Sequence, residues 1–361
     1  VPNSQGSLAD LTAVVVAPIL SPKGDVIGAI YGDRGQSGGG GGVPAPITKL
    51  EAMLAEVLAS GVAAGLARLD HEQAAISAKV QLEAHMSPAL ARQLIDNPDI
   101  LRGRDTQVTI LFVDLRKFST NSEHLGPEAT VEWIGQVMGA MADCVQEHGG
   151  IVVDYIGDEL MAMWGAPVEQ PDHAQRACRA ALEMLGHLPK LNEQWNARLK
   201  APMDLGIGIN SGVARVGNVG TKTKLKFGAL GNTTNLASRV QGATKHLKTR
   251  LLITRATKDL LDDKFAVRRI GLAKVVNISE PVELFELAAA TKPIWTPLQM
   301  EYEGALKKFE AGNFRTAVRV LGNLLNEHPE DGPALVLLSR AVGCMVKEPG
   351  PDFHLWELPG K

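Results

Sequence analysis

The stretch GGIVVDYIGDELMAMWGAP, residues 149–167, decides the fold class of this sequence. Two runs rich in β-forming residues flank Gly157-Asp158, a dipeptide typical of a two-residue hairpin turn. Asp158 has a purely structural explanation, because Asp is a favoured turn residue. The stretch therefore predicts an antiparallel hairpin with a carboxylate at its tip, and the neighbours of that hairpin decide what the carboxylate does.

A second carboxylate ends the apolar run of VTILFVDLRKFS, residues 108–119. Burying Asp114 at a strand end is costly without a cation, although Asp is also a favoured helix cap. Asp114 and Asp158 are 158 − 114 = 44 residues apart with a helix between them, so they can converge from neighbouring antiparallel strands. Two converging carboxylates repel each other unless a divalent cation neutralises both, as in a two-metal phosphoryl-transfer site.

A third element comprises LGIGINSG (205–212) and GNTTNLASR (231–239). The alternating glycines of the first string predict that another backbone approaches this strand closely. Asn235 and Arg239 are four residues apart on a predicted helix and therefore share one face. Such a pair can orient a ribose and neutralise a phosphate, although an exposed polar helix face explains it equally well.

Together, FVDLRKFS, DYIGDELMAMWGAP, GIGINSG and GNTTNLASR resemble the catalytic domain of class III adenylate/guanylate cyclases, over residues 105–289. The resemblance implies an α+β fold with a ferredoxin-like core and a head-to-tail homodimer with active sites at the interface. It also implies that ATP or GTP is converted to the 3′,5′-cyclic nucleotide and pyrophosphate, with two Mg²⁺ or Mn²⁺ per active site.

The resemblance divides the catalytic residues between two subunits. Asp114 and Asp158 of one subunit would bind both metals, helped by the backbone carbonyl of Leu115. Asn235 and Arg239 of the partner subunit would orient the ribose and stabilise the pentacoordinate phosphorus. A monomer is therefore expected to be inactive.

The base-recognition positions depart from the family pattern. Adenylate cyclases usually carry a Lys where this sequence has Asp154, and the second position falls on Gly228, which has no side chain. An ionised Asp accepts hydrogen bonds from guanine but cannot donate to adenine N1. Hydrogen bonding thus favours guanine, while bacterial cyclases with unusual base pockets are often adenylate cyclases, so both bases stay open.

The triphosphate-binding positions also depart from the pattern in one place. The Lys expected late in the domain falls on Val276, and Lys274 lies two residues earlier on the same strand face. We predict that Phe118, Ser119 and Lys274 bind the triphosphate.

Four further regions flank the catalytic domain. Residues 1–34 predict a hairpin that resembles the end of a GAF-like sensor domain, and residues 35–104 a Gly-rich linker and helical stalk. Residues 295–345 resemble a tetratricopeptide-like helical hairpin, expected to dock on the catalytic domain or to continue an array. Residues 346–361 are expected to be a C-terminal tail.

The stalk carries an apolar stripe at helical spacing, formed by Leu50, Met53, Leu54, Val57 and Leu58. The stripe predicts either packing on its own domain or a parallel two-helix stalk. After the stalk, a helix is expected to start at Ser87 and to stop near Asn97.

Composition restricts the location and the partners. The net charge is −3, no uninterrupted apolar run reaches the 18 or so residues that span a bilayer, and no signal segment opens the sequence. We therefore expect a cytoplasmic protein without nucleic-acid or membrane partners, its three cysteines reduced. Because it begins without Met, the sequence is expected to be part of a longer chain.

Two rival functions remain. A diguanylate cyclase places acids on a similar hairpin, but its GGDEF string is IGDEL here. The second rival is a catalytically silent cyclase-like module that binds nucleotide and relays a signal, which the altered base and Lys positions favour.

Overall fold

The computed structural model describes residues 11–35, 46–83, 103–221, 224–275, 278, 280–288 and 292–358. The chain divides into two compact units, residues 1–82 and 83–361. The helix predicted to start at Ser87 and stop near Asn97, and position Val276, lie outside the described residues.

The first unit is a hairpin packed on a helix. Strands β1 (Leu11–Leu20) and β2 (Val26–Gly35) pair antiparallel, as the sequence predicts. Helix α1 (Lys49–Glu83) covers the hairpin because Ala55 and Ala59 pack against Ala17. Small side chains on that face let helix and hairpin backbones come close.

The apolar stripe of α1 does not pack on this hairpin. Its five members are all more than half exposed: Leu50, Met53, Leu54, Val57 and Leu58. The stripe therefore packs on none of the residues that the structure describes in this unit, and both alternatives, packing on its own domain and a two-helix stalk, stay predictions. By length and composition alone, α1 over Lys49–Ser77 would suffice to cross a membrane, so the expected absence of a membrane partner also stays a prediction.

The second unit is built on a nine-stranded sheet flanked by helices. Its strands are β3 (Arg104–Arg116), β4 (Ile151–Ile156), β5 (Glu159–Trp164), β6 (Asp204–Thr221), β7 (Lys224–Leu230), β8 (Leu251–Thr254), β9 (Val267–Lys274), β10 (Val282–Leu287) and β11 (Trp356–Glu357). Its helices are α2 (Phe118–Leu125), α3 (Pro127–Glu147), α4 (His173–Trp195), α5 (Asn232–His246), α6 (Arg255–Lys258), α7 (Lys292–Glu310), α8 (Phe314–Glu327) and α9 (Gly332–Val346).

The centre of the sheet has the ferredoxin-like arrangement that the resemblance to class III cyclases implies. The order along the sheet is β11-β9-β10-β8-β6-β3-β5-β4, and β7 pairs with β6. The sequence β3-α3-β4-β5-α4-β6 is therefore a βαββαβ unit with spatial order β6-β3-β5-β4, in which all neighbours are antiparallel.

Each face of the sheet has its own apolar core. On one face, α3 and α4 bury Trp133, Met141 and Met184 against the sheet. On the other, α5 packs so closely that a Cβ on Gly208 would lie 2.1 Å from the backbone nitrogen of Gln241. The close approach predicted from the alternating glycines is thus observed, and it seats α5 directly on β6.

The C-terminal helices dock on the α5 face of the sheet, as predicted for a helical unit unable to bury its own face. Tyr302 of α7 is fully buried and donates from its hydroxyl to the carbonyl of Ile270, 3.3 Å away. Three helices form this region, one more than the predicted hairpin. The predicted tail is also wrong in part, because β11 pairs in parallel with β9 and extends the sheet.

Candidate active site

Two carboxylates line one cavity where β3 ends and β5 begins. Asp114 pairs in register with Glu159, and the backbone N–H of Leu115 donates to the carbonyl of Asp158 at 3.2 Å. Asp114, Asp158 and Glu159 all line a cavity of about 460 Å³. The predicted convergence from neighbouring antiparallel strands is observed, and the sequence reasoning had not included Glu159.

Arg116 is a further residue of this cavity that sequence reasoning missed. Its guanidinium donates to the carbonyl of Thr249 at 2.6 Å and to Asp204 at 3.4 Å. Burial lowers the pKa of Arg116, while Asp204 and Asp114 oppose that effect. The arginine therefore places a fixed positive charge beside the carboxylates, held by contacts outside the cavity.

Helix α5 forms the other side of the cavity. Arg239 is half-buried and lines it, whereas Asn235, one turn earlier, is exposed and is not among the lining residues. The two residues lie on one helix with the predicted spacing. Only Arg239 lines the cavity together with the carboxylates of its own chain.

Gln241 adds an unsatisfied polar group to the same wall. Its side chain is 4% exposed, and its Oε1 has no hydrogen-bond partner among the described residues. A buried oxygen without a partner costs free energy unless a ligand or water satisfies it. The Gln241 oxygen is therefore a buried acceptor without a described partner, on a residue of the cavity wall that sequence reasoning also missed.

The predicted base-recognition residues lie on two strands that touch. Asp154 of β4 forms an ion pair with Lys226 of β7. Two residues along β7, a Cβ on Gly228 would lie 3.6 Å from a methyl group of Val153. The structure thus brings positions 154 and 228 together and adds Lys226, which had not been singled out.

None of the three predicted triphosphate residues is among the residues that line the cavity. The Phe118 ring stacks on Trp133 with centroids 5.7 Å apart, so this residue has only its backbone N–H to offer, in the first turn of α2. Ser119 is exposed beside it. Lys274 is exposed at the end of β9, adjacent to the cavity-lining residue Val275.

A second group of possible metal ligands lies away from this cavity. Ligand atoms of Cys144, Glu183 and His187 lie within 4.8 Å of one another. Burial, together with Glu183, raises the pKa of the Cys144 thiol to about 12, so the thiol is protonated at neutral pH and a poor ligand. The oxygen-rich cavity is therefore the stronger candidate for divalent cations.

Comparisons with known proteins place the cavity within a matched domain. The family model for the adenylate and guanylate cyclase catalytic domain matches residues 102–286. Adenylate cyclase 1 of Rhizobium meliloti is 33% identical over 190 residues, 53% of this chain and 29% of that protein. An adenylate cyclase of Anabaena cylindrica is 28% identical over 207 residues, 55% of this chain and 40% of that protein.

A solved structure agrees with the sequence relatives. The crystal structure of the adenylyl cyclase CyaB from P. aeruginosa superposes with a TM-score of 0.50 at 28% identity, covering 53% of this chain and 97% of that one. The chain spans less than half the length of each of these two curated relatives.

Proposed function

This chain belongs to the family of adenylate and guanylate cyclase catalytic domains, and on that premise we propose that it converts ATP or GTP to the 3′,5′-cyclic nucleotide and pyrophosphate. One observation carries the proposal: Asp114 and Asp158, from neighbouring strands, line one cavity together with Glu159 and Arg116. Carboxylates that share a cavity suit the metal ions of a bound triphosphate.

The cavity suits hard divalent cations because its acidic groups are oxygen ligands. Asp114 and Asp158, with the carbonyl of Leu115, would hold two Mg²⁺ or Mn²⁺ per site. When bound, the ions supply charge neutralisation and lower the pKa of the ribose 3′-hydroxyl.

The chain's own residues bind and orient the nucleotide. Arg239 stabilises the charge that builds on the α-phosphate, and Asn235 orients the ribose. The backbone N–H groups of Phe118 and Ser119, at the N-terminus of α2, and the ammonium of Lys274 bind the triphosphate. The 3′-oxygen loses its proton and bonds to the α-phosphorus, and the bond to the pyrophosphate oxygen breaks.

We further propose that the working unit is a homodimer in which Asn235 and Arg239 of one subunit serve the metal site of the other. The exposure of Asn235, outside the cavity of its own chain, supports this assignment. An exposed Asn235 would contact the ribose of a nucleotide bound at the metal site of the other subunit, across the dimer interface.

The flanking regions suit a signalling enzyme. We propose that β1 and β2 end a GAF-like sensor, that α7–α9 form a tetratricopeptide-like unit, and that the protein is cytoplasmic. An antiparallel hairpin packed on a helix supports the first assignment, and three free cysteines support a reducing compartment.

A product assay tests the reaction. The purified chain is given ATP or GTP with Mg²⁺ or Mn²⁺, and cyclic nucleotide and pyrophosphate are measured. Equal amounts of both products support cyclisation. Tight nucleotide binding with no cyclic product from either nucleotide would instead identify a silent nucleotide-binding module.

A mixing experiment tests the dimer. Asp114→Ala and Arg239→Ala are each expected to be inactive, because each removes one half of every site. Mixing the two variants should restore activity, since the mixed dimer keeps one complete site. If mixed dimers form, as seen by affinity pull-down of differently tagged chains, and stay inactive, the division between subunits is wrong.

A further inference from the structure

Helices α3 and α4 bring four polar side chains together on the face of the sheet opposite α5. Cys144 and His148 are four residues apart at the end of α3, and Glu183 and His187 are four residues apart on α4. This spacing puts each pair on one helix face, and the two helices pack against each other. The fold thus assembles a thiol, a carboxylate and two imidazoles from two elements.

The distances within this group suit a single metal ion. The sulfur of Cys144, a carboxylate oxygen of Glu183 and a ring nitrogen of His187 all lie within 4.8 Å of one another. Tetrahedral zinc with ordinary bond lengths separates its ligand atoms by roughly 3.3–3.6 Å. Because Glu183 and His187 are only partly buried, a small rotation of either side chain is enough to close the remaining gap.

His148 orients the carboxylate of the group. Its Nε2 lies 2.7 Å from a carboxylate oxygen of Glu183, and the indole N–H of Trp164 donates to the His148 carbonyl at 3.1 Å. Side chains that bind metals are typically held by such hydrogen bonds from outside the ligand set. A carboxylate has two oxygens, so Glu183 can keep this hydrogen bond and still bind a cation.

The mixed donor set selects the kind of cation. Thiolate, imidazole and carboxylate together are typical of zinc, whereas Mg²⁺ and Mn²⁺ favour sites made of oxygen. Burial, Glu183 and Glu147 raise the pKa of Cys144, so its thiol is protonated before metal binds and is unsuited to Mg²⁺. Zinc displaces that proton: the S–H bond breaks, a Zn–S bond forms and the proton passes to solvent.

The charges around the group also suit zinc. The thiolate of Cys144 and the carboxylate of Glu183 together balance the charge of Zn²⁺, and a neutral His187 adds none. Asp143 and Glu147, on the same helix as Cys144, oppose its ionisation in the absence of metal. The same negative charges attract a cation to the site.

We propose that Cys144, Glu183 and His187 form a zinc site that joins α3 to α4, separate from the oxygen-lined cavity in which Mg²⁺ or Mn²⁺ would bind. The site goes beyond the proposed cyclase function and does not depend on it, because none of the three residues lines that cavity. Zinc bound there stabilises the folded chain, since only folding brings the three ligands together.

Metal content tests the site. The untagged chain is stripped with a chelator, given Zn²⁺ in excess Mg²⁺, desalted and measured by elemental analysis. We expect one zinc per chain in the unaltered protein and none in Cys144→Ala or His187→Ala. The matched control Cys178→Ala removes a fully buried thiol of α4 outside the group and should retain its zinc.

Cobalt identifies the ligands. Co²⁺ in place of zinc gives a sulfur-to-cobalt charge-transfer band only where a thiolate binds it. We expect this band in the unaltered chain and in Cys178→Ala, and its loss in Cys144→Ala. His148→Gln should keep the band but weaken zinc binding by roughly 10–100-fold, measured by competition with a coloured chelator.

Two outcomes would overturn the proposal: zinc that stays bound in Cys144→Ala, or an unaltered chain that retains none. Circular dichroism shows whether each variant is folded. If Cys144→Ala does not fold, Glu183→Gln, at a partly exposed position, takes its place: loss of zinc supports the site and unchanged binding refutes it. No measurement here requires cyclic product, so a failure of the cyclase proposal leaves these outcomes unaffected.

Discussion

Charged side chains are arranged differently near the two ends of the strand order of the nine-stranded sheet, at β9 and at β5. Beside the C-terminal helices, Arg268 is 1% exposed and directly contacts Glu286 at 2.6 Å and Asp331 at 2.8 Å. At the other end, Asp114 and Asp158 share a cavity with Arg239. The contrast teaches that charges in direct contact hold the C-terminal helices to the sheet, whereas charges arranged around a cavity leave room for a charged ligand.

The Arg268 cluster has the features of a structural ion network. Burial would lower the pKa of Arg268, but Glu286 and Asp331 together raise it, and the rings of Trp295 and Tyr302 lie 4.9 Å and 4.7 Å from the guanidinium. Asp331 also caps α9 by accepting from the N–H of Ala334. One arginine thus joins β9, β10, α7 and the start of α9.

The largest effect is expected at the cavity end. Asp158→Asn should lower cyclase activity by roughly a thousandfold, because the proposed metal site loses one ligand and its charge. The urea midpoint of unfolding should stay within error, since no fold-stabilising contact of the side chain is removed. A loss of activity that merely follows a loss of folded protein, measured by circular dichroism, would contradict the functional assignment.

At the opposite end, the expected loss is one of stability. Arg268→Met should lower the free energy of unfolding by about 3–5 kcal/mol, because it leaves two buried carboxylates without their cation. Urea unfolding measures this change. The control Arg255→Met removes an exposed cation paired with Glu283 and should cost only about 0–1 kcal/mol. Equal losses in the two variants would remove the distinction between the ends.

A smaller effect is expected where α5 meets the sheet. Gly208→Ala should lower the free energy of unfolding by about 1–3 kcal/mol and reduce activity, because the added Cβ displaces the helix that carries Arg239. Thermal unfolding and the product assay measure both. Gly304→Ala, in a helix with open space around the site, should instead stabilise by up to about 1 kcal/mol.

The smallest effect concerns His173, between the two ends. Its Nδ1 lies 2.6 Å from the Thr109 hydroxyl, and burial lowers its pKa from 6.5, opposed in part by Asp172. The unfolded chain therefore binds the proton more readily. The neutral His173 side chain therefore contributes to the stability of the folded chain above pH 6.5, and this contribution is lost as the pH falls. Melting temperatures between about pH 8 and pH 5 should fall more steeply for the unaltered chain than for His173→Gln.

The fold was largely predictable because local signals agreed with one another. The Gly157-Asp158 turn, the strand ending at Asp114 and the alternating glycines from Gly206 each predicted an element that the structure contains. Strand β11 could not be predicted, since two residues carry no periodicity and their pairing depends on β9.

The candidate site could be predicted where the spacing of residues along the chain determines which side chains lie together. The spacing of Asn235 and Arg239 required only a helix, and the convergence of the two aspartates required only antiparallel neighbours. Arg116 lies two residues after Asp114 on the same strand, and Glu159 directly follows Asp158, so their places beside the carboxylates follow from the strand geometry that the sequence already predicted. Only Gln241 gave no signal, because its place at the cavity depends on how α5 packs on β6.

The contact between β4 and β7 constrains how this protein can diverge. A descendant that changed Asp154 alone to Lys would set two ammonium groups against each other, and one that changed Lys226 alone to Asp would oppose two carboxylates. Substitutions at these two positions are consequently expected to arise together, so a lineage should change this contact through paired rather than single replacements.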